Sequence, residues 1–330
     1  MNIHQITFSP TGGTRRVSEL LCKGITDKSY TTELCTKEKD FIPPSIATDD
    51  LAVISMPVYA GRVPALAVER LKKIKSSGAK CIIIAVYGNR AYEDALVEMQ
   101  DIATETGFQV VAAVAAIAEH SICREYATGR PDDADARELA SLGVAIFEKI
   151  KRNTHFKSLT LPGNRPYKQG CTGPFPTANE RCTNCGTCAR LCPTDAISID
   201  SLQKNNTALC IGCMRCVSVV PMEQEVLANV SRNWQHISSL SAAREKITRY
   251  SCKKLLTYKH KRHDRTFQIQ CKPRAEHQTC LNALTWCSLW YINTVQTESR
   301  ASNLFECFDE VQPVVYKNNF GRLLIPYICG

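Results

Sequence analysis

Over residues 1–153, apolar runs suited to buried strands alternate with stripes of helical period. Ile3 to Ser9 reads as a first strand that runs into Pro10-Thr11-Gly12-Gly13-Thr14, and the helix after it puts Val17, Leu20 and Leu21 on one face. Tyr30 to Thr36 is the second strand. Leu51 to Met56 is continuously apolar, as a strand covered on both faces requires. Pro64 opens a helix with Ala67, Leu71 and Ile74 in register, and Gly78 closes it. Cys81 to Val86 gives a fourth strand, Ala95 to Thr106 a helix stopped by Gly107, and Phe108 to Ile117 a fifth strand. A last helix, Asp132 to Lys151, turns Leu139, Leu142, Ile146 and Ile150 inward. Strands alternating with helices predict an α/β domain at 1–153, a doubly wound parallel sheet of five strands.

Beyond it the pattern breaks. From 154 to 178 the periodicity disappears while Pro and Gly accumulate (LPGNRPYKQG, GPFP), which predicts a linker or a strap over the surface. A cysteine-rich module spans 179–225, and the tail, 226–330, holds Trp234, Trp286, Trp290 and six scattered cysteines with no sustained period. The tail stays unassigned.

Composition narrows the class. A chain of 330 residues, 44% hydrophobic and 22% charged, has the makeup of a soluble protein with two domains. No apolar run reaches the eighteen or so residues of a membrane helix, and MNIHQITFSP lacks the pattern of a secretory signal, so a cytoplasmic location is expected. Eighteen cysteines are many for such a compartment, where clustered thiols more often hold metal or do redox chemistry than form disulfides. Seven of them crowd between Cys182 and Cys216. The net charge of +9 is local: Ser231 to Arg274 carries twelve Lys and Arg against two acidic residues, which leaves the rest of the chain at −1.

Three loops fall at one edge of the expected sheet, beyond the carboxyl ends of its strands, where such folds bind ligands. In Ser9-Pro10-Thr11-Gly12-Gly13-Thr14, hydroxyls and successive backbone N–H groups can surround a phosphate at a helix start; the alternative is a tight turn with Thr14 as N-cap. The spacing differs from both GxGxxG and GxxxxGK[ST], against a dinucleotide or an NTP. Pro57-Val58-Tyr59-Ala60-Gly61-Arg62-Val63-Pro64 and Tyr87-Gly88-Asn89-Arg90-Ala91-Tyr92 add aromatic faces and exposed amides, which a flavin ring needs. His120, after the fifth strand, reads as a hydrogen-bonded loop residue rather than a proton donor to a flavin.

Cys182-x-x-Cys185-x-x-Cys188-x-x-x-Cys192-Pro193 has the spacing of a bacterial ferredoxin run, with a zinc site as the alternative. A second run repeats it as Cys210-x-x-Cys213-x-x-Cys216-x-x-x-Val220-Pro221. In the crossed arrangement of two-cluster ferredoxins, Cys192 completes the cluster of Cys210, Cys213 and Cys216, while valine stands where the cluster of Cys182, Cys185 and Cys188 would find its fourth ligand. That second cluster could lose an iron, keep it on an exogenous ligand, or borrow another cysteine such as Cys171.

The FSPTGGT, PVYAGRVP and VYGNRAYED loops resemble the FMN-binding loops of flavodoxins, and with the cysteine runs they resemble the flavodoxin–ferredoxin fusion proteins of anaerobic prokaryotes. The resemblance implies FMN, its phosphate on Ser9, Thr11, Gly12, Gly13 and Thr14 and its ring among Pro57, Val58, Tyr59, Gly61, Tyr87, Gly88, Asn89 and Tyr92. It also implies [4Fe-4S] clusters and electron transfer with a redox partner protein, where a small-substrate oxidoreductase is the alternative. Valine at 220 departs from the family pattern, and so does the tail. Its basic stretch (Lys253, Lys254, Lys259, Lys261, Arg262, Arg265) reads as a solvated face before a nucleic-acid or partner surface.

Overall fold

The computed structural model describes residues 1–153, 155–170 and 175–220, with the backbone of 316–317 and 323–328. All of these belong to one compact unit. The three tryptophans, the basic stretch and Cys171 lie outside the described residues.

Strands β1 (Ile3–Thr7), β2 (Tyr30–Glu33), β3 (Leu51–Pro57), β4 (Lys80–Tyr87) and β5 (Gln109–Ile117) pair in parallel in the order β2-β1-β3-β4-β5. That order defines the flavodoxin-like doubly wound fold. Helices α1 (Gly13–Cys22), α2 (Ala65–Lys72), α3 (Ala95–Glu105) and α4 (Asp133–Arg152) make the crossovers and the close.

The two-residue period of the strands divides the core. On β4, Ile82, Ile84 and Val86 join Val53, Leu20, Leu21, Leu139 and Ile146 under α1 and α4. Cys81, Ile83, Ala85 and Tyr87 join Ile6, Phe8, Ile54, Met56 and Leu71 on the face covered by α2 and α3. At roughly 1.5–3 kcal/mol for each large apolar side chain buried, these two layers are the main source of stability and hold the loop edge rigid.

Three expectations shift. Strand β2 ends at Glu33, not Thr36; Leu34 N–H still donates to Thr7 O (2.6 Å) before the chain turns away. Helix α2 stops at Lys72, although Ile74 beyond it is fully buried. The sheet also does not end at β5: β9 (Leu323–Ile328) adds antiparallel to it, Ala112 opposite Ile328 and Ala115 opposite Ile325, and β8 (Tyr316–Lys317) pairs with β9. The end of the unassigned tail thus occupies backbone groups that an edge strand would leave open.

Of the segment expected as linker or strap, residues 155–170 pack on the domain. Leu159 and Leu161 are buried in the core, and Gln100 Nε2 donates to Leu159 O (2.8 Å). Asp94 accepts from Asn164 N (2.9 Å), Asn164 Nδ2 (3.1 Å) and Lys168 N (2.8 Å), while Asp101 takes Arg165 through two nitrogens (2.6 and 2.7 Å). The cysteine module that follows consists of α5 (Thr187–Leu191), the hairpin β6 (Ile197–Ser198) and β7 (Ser201–Asn205), and α6 (Arg215–Ser218), which packs against α5.

Candidate functional site

The loop after β1 begins the site. Gly12 is the N-cap of α1 with φ of +93°, a left-handed conformation that costs an L side chain and costs glycine little. Thr14 is therefore not the cap: it sits inside the first turn, buried. The first intrahelical bond runs from Arg16 N–H to Gly12 O (3.0 Å), so the N–H groups of Thr11, Gly12, Gly13 and Thr14 come at a helix end, where the helix itself supplies no acceptor. Ser9 Oγ accepts from Arg15 N (2.9 Å), which curls the loop into a cradle with Thr11 and Gly12 exposed. Such an arrangement of donors, added to the helix dipole, suits an anion.

Glu33, at the end of β2, braces this loop. Its Oε1 accepts from Ser9 N (3.0 Å) and Cys35 N (2.9 Å), and its Oε2 takes Arg15 Nη2 (2.6 Å). No sequence signal marked Glu33, because a glutamate in a short, half-exposed strand resembles any surface residue.

The loop after β3 is a tight hairpin. Tyr59 and Arg62 exchange backbone hydrogen bonds (2.7 and 3.1 Å), with Ala60 at φ +51° and Gly61 at φ +86° between them, the sign pattern of a type I′ turn. Pro57 closes β3, and Val58 N donates to Val86 O (2.8 Å) while its side chain packs on the core. Arg62 is held by Glu98 (2.6 and 2.7 Å) and lies over the Tyr167 ring, which ties the hairpin to α3 and the strap.

The loop after β4 meets it. Asp94 N donates to Gly61 O (3.0 Å), and Asn89 has a positive φ of +62°. Tyr87 is a core residue whose ring stands edge-on to half-buried Tyr92 at 5.4 Å, so Tyr92 is the more accessible of the two. Gly88 faces His120: a Cβ there would lie 2.4 Å from the imidazole Cδ2. His120 Nδ1 accepts from the backbone N–H of Ile122 (3.2 Å) and Cys123 (3.1 Å), the role of a loop histidine expected from the sequence. Burial, and then nearby Arg90, hold its pKa below the ordinary histidine value. The edge thus brings aromatic residues of two loops together with the N–H groups at the start of α1.

The seven cysteines fall in two neighbouring groups. Cys192, Cys210, Cys213 and Cys216 line one cavity, together with Pro193, Ile197, Ile211 and Met214. Burial first, then the neighbouring thiols, push Cys213 up to about 11 and Cys216 up to about 12. At neutral pH such thiols stay protonated, and binding a metal centre would release those protons. Cys182, Cys185 and Cys188 form the second group, where Cys185 is exposed and bonds Thr187 Oγ1 (3.4 Å). Val220, after α6, presents no donor. Among the described residues no three His, Cys, Asp or Glu side chains converge on a single-ion site. A cubane takes one thiolate per iron, so its ligands surround a volume instead of meeting at a point.

The module rests on the flavodoxin-like domain beside the hairpin. Arg215 Nη1 donates to Cys35 O, Lys37 pairs with Asp195, and Ile211 packs on the core. Burial pushes the Tyr59 hydroxyl upward, and the Cys213 and Cys35 thiols beside it add to the effect. Sequence reasoning did not find Cys35 or Lys37, which stand in no motif, nor the reach of Arg215, which lies inside the second cysteine run without being one of its ligands.

Residues 178–198 match the family described as a 4Fe-4S binding domain. No curated protein matches the chain. Among solved structures it is similar to a flavodoxin from the domain Archaea (18% identity, 46% of this chain and 99% of that one, TM-score 0.33). It is also similar to Megasphaera elsdenii flavodoxin in the two-electron reduced state (17%, 43% and 98%, TM-score 0.29) and to oxidised Flavodoxin 2 from Bacillus cereus (14%, 45% and 99%, TM-score 0.32). The strand order, not these likenesses, defines the fold. A flavodoxin-like domain joined to a 4Fe-4S binding domain has the organisation of a flavodoxin–ferredoxin fusion and supports a redox, electron-transfer role. No helix among the described residues is long and apolar enough to cross a membrane.

Proposed function

We propose that the chain carries electrons between FMN and iron–sulfur clusters and exchanges them with a separate redox protein. One observation carries the reading: the four cysteines of the crossed ferredoxin pattern line a single cavity on the same side of the sheet as the anion cradle and the two aromatic loops. When bound, FMN supplies two electrons that can leave one at a time, and a cluster supplies a seat for one.

Each part of the chain has a task in that exchange. The N–H groups from Thr11 to Thr14 and the Ser9 and Thr14 hydroxyls hold the phosphate, braced by Glu33. The hairpin at Tyr59 and the loop from Gly88 to Tyr92 flank the ring, and the left-handed Asn89 and Gly61 present backbone groups to its polar edge. Cys192, Cys210, Cys213 and Cys216 provide one thiolate to each iron of a complete [4Fe-4S] cluster. Cys182, Cys185 and Cys188 provide three for a second cluster whose fourth position Val220 leaves empty. The apolar side chains around the first cavity exclude water, and so tune the potential through burial.

Iron and FMN content of the full chain, purified and reconstituted without oxygen, tests this. About one FMN with between about seven and eight irons supports it. Zinc in place of iron, with no flavin retained, overturns it.

A further inference from the structure

We propose that Arg215 is a positioning residue that seats the site of Cys192, Cys210, Cys213 and Cys216 against Cys35 and Tyr59, so that this site, and not that of Cys182, Cys185 and Cys188, is the flavin's electron partner. The inference rests on the reading above and adds the order of the path to it.

Arg215 stands inside the second cysteine run, between Cys213 and Cys216, yet its guanidinium reaches out of the module to the Cys35 carbonyl oxygen. The other end of the same site is fixed in the same place. Asp195, three residues after Cys192, pairs with Lys37, two residues after Cys35. Ile211, next to Cys210, packs on the core of the flavodoxin-like domain. The segment Cys35–Lys37 therefore receives both sides of the cysteine loop. It follows directly from Glu33, whose carboxylate organises the phosphate cradle and also accepts the Cys35 N–H. Tyr59, at the head of the hairpin, stands beside Cys35 and Cys213.

The other triad makes its contacts within the module: Cys182 Sγ to Asn184, Cys185 Sγ to Thr187, and Arg190 Nη2 to the Cys185 carbonyl (2.9 Å). Cys185 is exposed, whereas Cys213 is buried. This sets a path with the flavin at one end, the four-cysteine site next, and the triad toward solvent and an external partner. At the seam one electron passes from reduced flavin to oxidised cluster. The flavin loses what the cluster gains, no bond is made or broken, and an external one-electron reductant, dithionite in the experiment below, refills the flavin.

Arginine at this place does what lysine does only in part. Its planar fork can reach the carbonyl while remaining beside the Cys35 thiol, and burial pushes that thiol up to about 12 despite the nearby guanidinium. A seam of this kind fixes distance and orientation, and small displacements there carry large rate costs.

The test uses the full chain loaded with FMN and iron. Flavin is reduced by a light flash in dithionite-poised samples, and the bleaching of cluster absorbance is followed. Arg215→Gln is expected to slow that redistribution by about tenfold or more with FMN and iron content unchanged, and Arg215→Lys to recover part of the loss. Freeze-quenched EPR after the flash is expected to show the reduced four-iron signal of the four-cysteine site before any change in the signal of the triad. A wild-type rate in Arg215→Gln, or a triad signal that changes first, overturns the assignment. If Arg215→Gln loses iron, the charge exchange Lys37→Glu with Asp195→Lys decides: each single change slows transfer and the pair restores it, and no restoration overturns the seam. A wild-type chain that holds no FMN or no iron overturns the functional reading itself, a result distinct from either of these.

Discussion

Glu33 meets Arg15 at 2.6 Å across the open end of the sheet, and the same carboxylate holds the Ser9 N–H. The ion pair is half exposed and by itself contributes under about 1 kcal/mol, but the two backbone N–H groups on the other oxygen are charge-assisted bonds of about 1.5–3 kcal/mol each. Glu33 therefore shapes the cradle more than it stabilises the surface. Glu33→Ala is expected to weaken FMN binding by about tenfold while affinity for riboflavin, which lacks the phosphate, changes little. Flavin fluorescence titration separates the two, and equal affinity of variant and wild type for FMN would falsify the role given to Glu33.

Gly88 and His120 share a space that holds only one side chain. A Cβ at 88 would come within 2.4 Å of one imidazole carbon and 2.7 Å of two others, so the ring or the loop has to move. Gly88→Ala is expected to lower stability by about 1–3 kcal/mol, which for a domain of this size is a fall of several degrees in Tm. Adding His120→Ala is expected to return most of that loss. If the double variant melts as low as the sum of the two single variants, the crowding argument fails.

Asp94 and Asp101 give the strap a pH dependence with a definite sign. Burial pushes the Asp94 carboxyl up, but the N–H groups of Lys168 and Asn164 outweigh it and hold the pKa below the ordinary carboxylate value. The Arg165 guanidinium does the same to Asp101. Both folded pKa values are thus depressed, so their contribution is complete above the ordinary aspartate value of about 3.9 and is lost as pH falls through the folded values. Melting of wild type and Asp94→Asn between about pH 6 and pH 3 checks this: the gap in Tm is expected to be widest near pH 6 and to close on acidification. A gap independent of pH would show that the carboxylate charge does not hold the strap.

Most of the sheet and its helices were legible because fully buried parallel strands announce themselves: Leu51 to Met56 and Cys81 to Val86 tolerate no polar residue but Ser55. The weakest strand, at Tyr30, ran short because it is an edge with no apolar face. The loop at Ser9 to Thr14 and the cysteine runs could be located in the sequence, since each is a compact local motif. The alternative reading of Thr14 as a cap does not hold, because Gly12, in a left-handed φ, takes that place. What held the pieces together was illegible for one reason. Glu33 with Ser9, Arg215 with Cys35 and Lys37 with Asp195 are contacts across 24, 180 and 158 residues, and no periodicity encodes them. The pairing of β9 with β5 is longer still and belongs to a tail whose sequence has no sustained period.

Val220 offers the sharpest check on the ligand assignment. It lies just past α6, whose helix packs on α5, the helix that carries Cys188, and Cys188 is near enough to add to the upward push on the Cys216 thiol. Position 220 is the place of the eighth cysteine in the spacing of the two runs. If Cys182, Cys185 and Cys188 hold an incomplete cluster, Val220→Cys is expected to raise bound iron by about one per chain and to replace a three-iron EPR signal, seen in the oxidised wild type, with the signal of a reduced four-iron cluster. The change is specific in its direction. A fourth ligand adds nothing to a triad already completed by an exogenous thiol or by another cysteine of the chain, and in that case iron content stays near eight in both proteins. Iron near four in both would place no cluster at the triad at all, and would leave the four-cysteine cavity as the only iron site to be reconciled with the flavin.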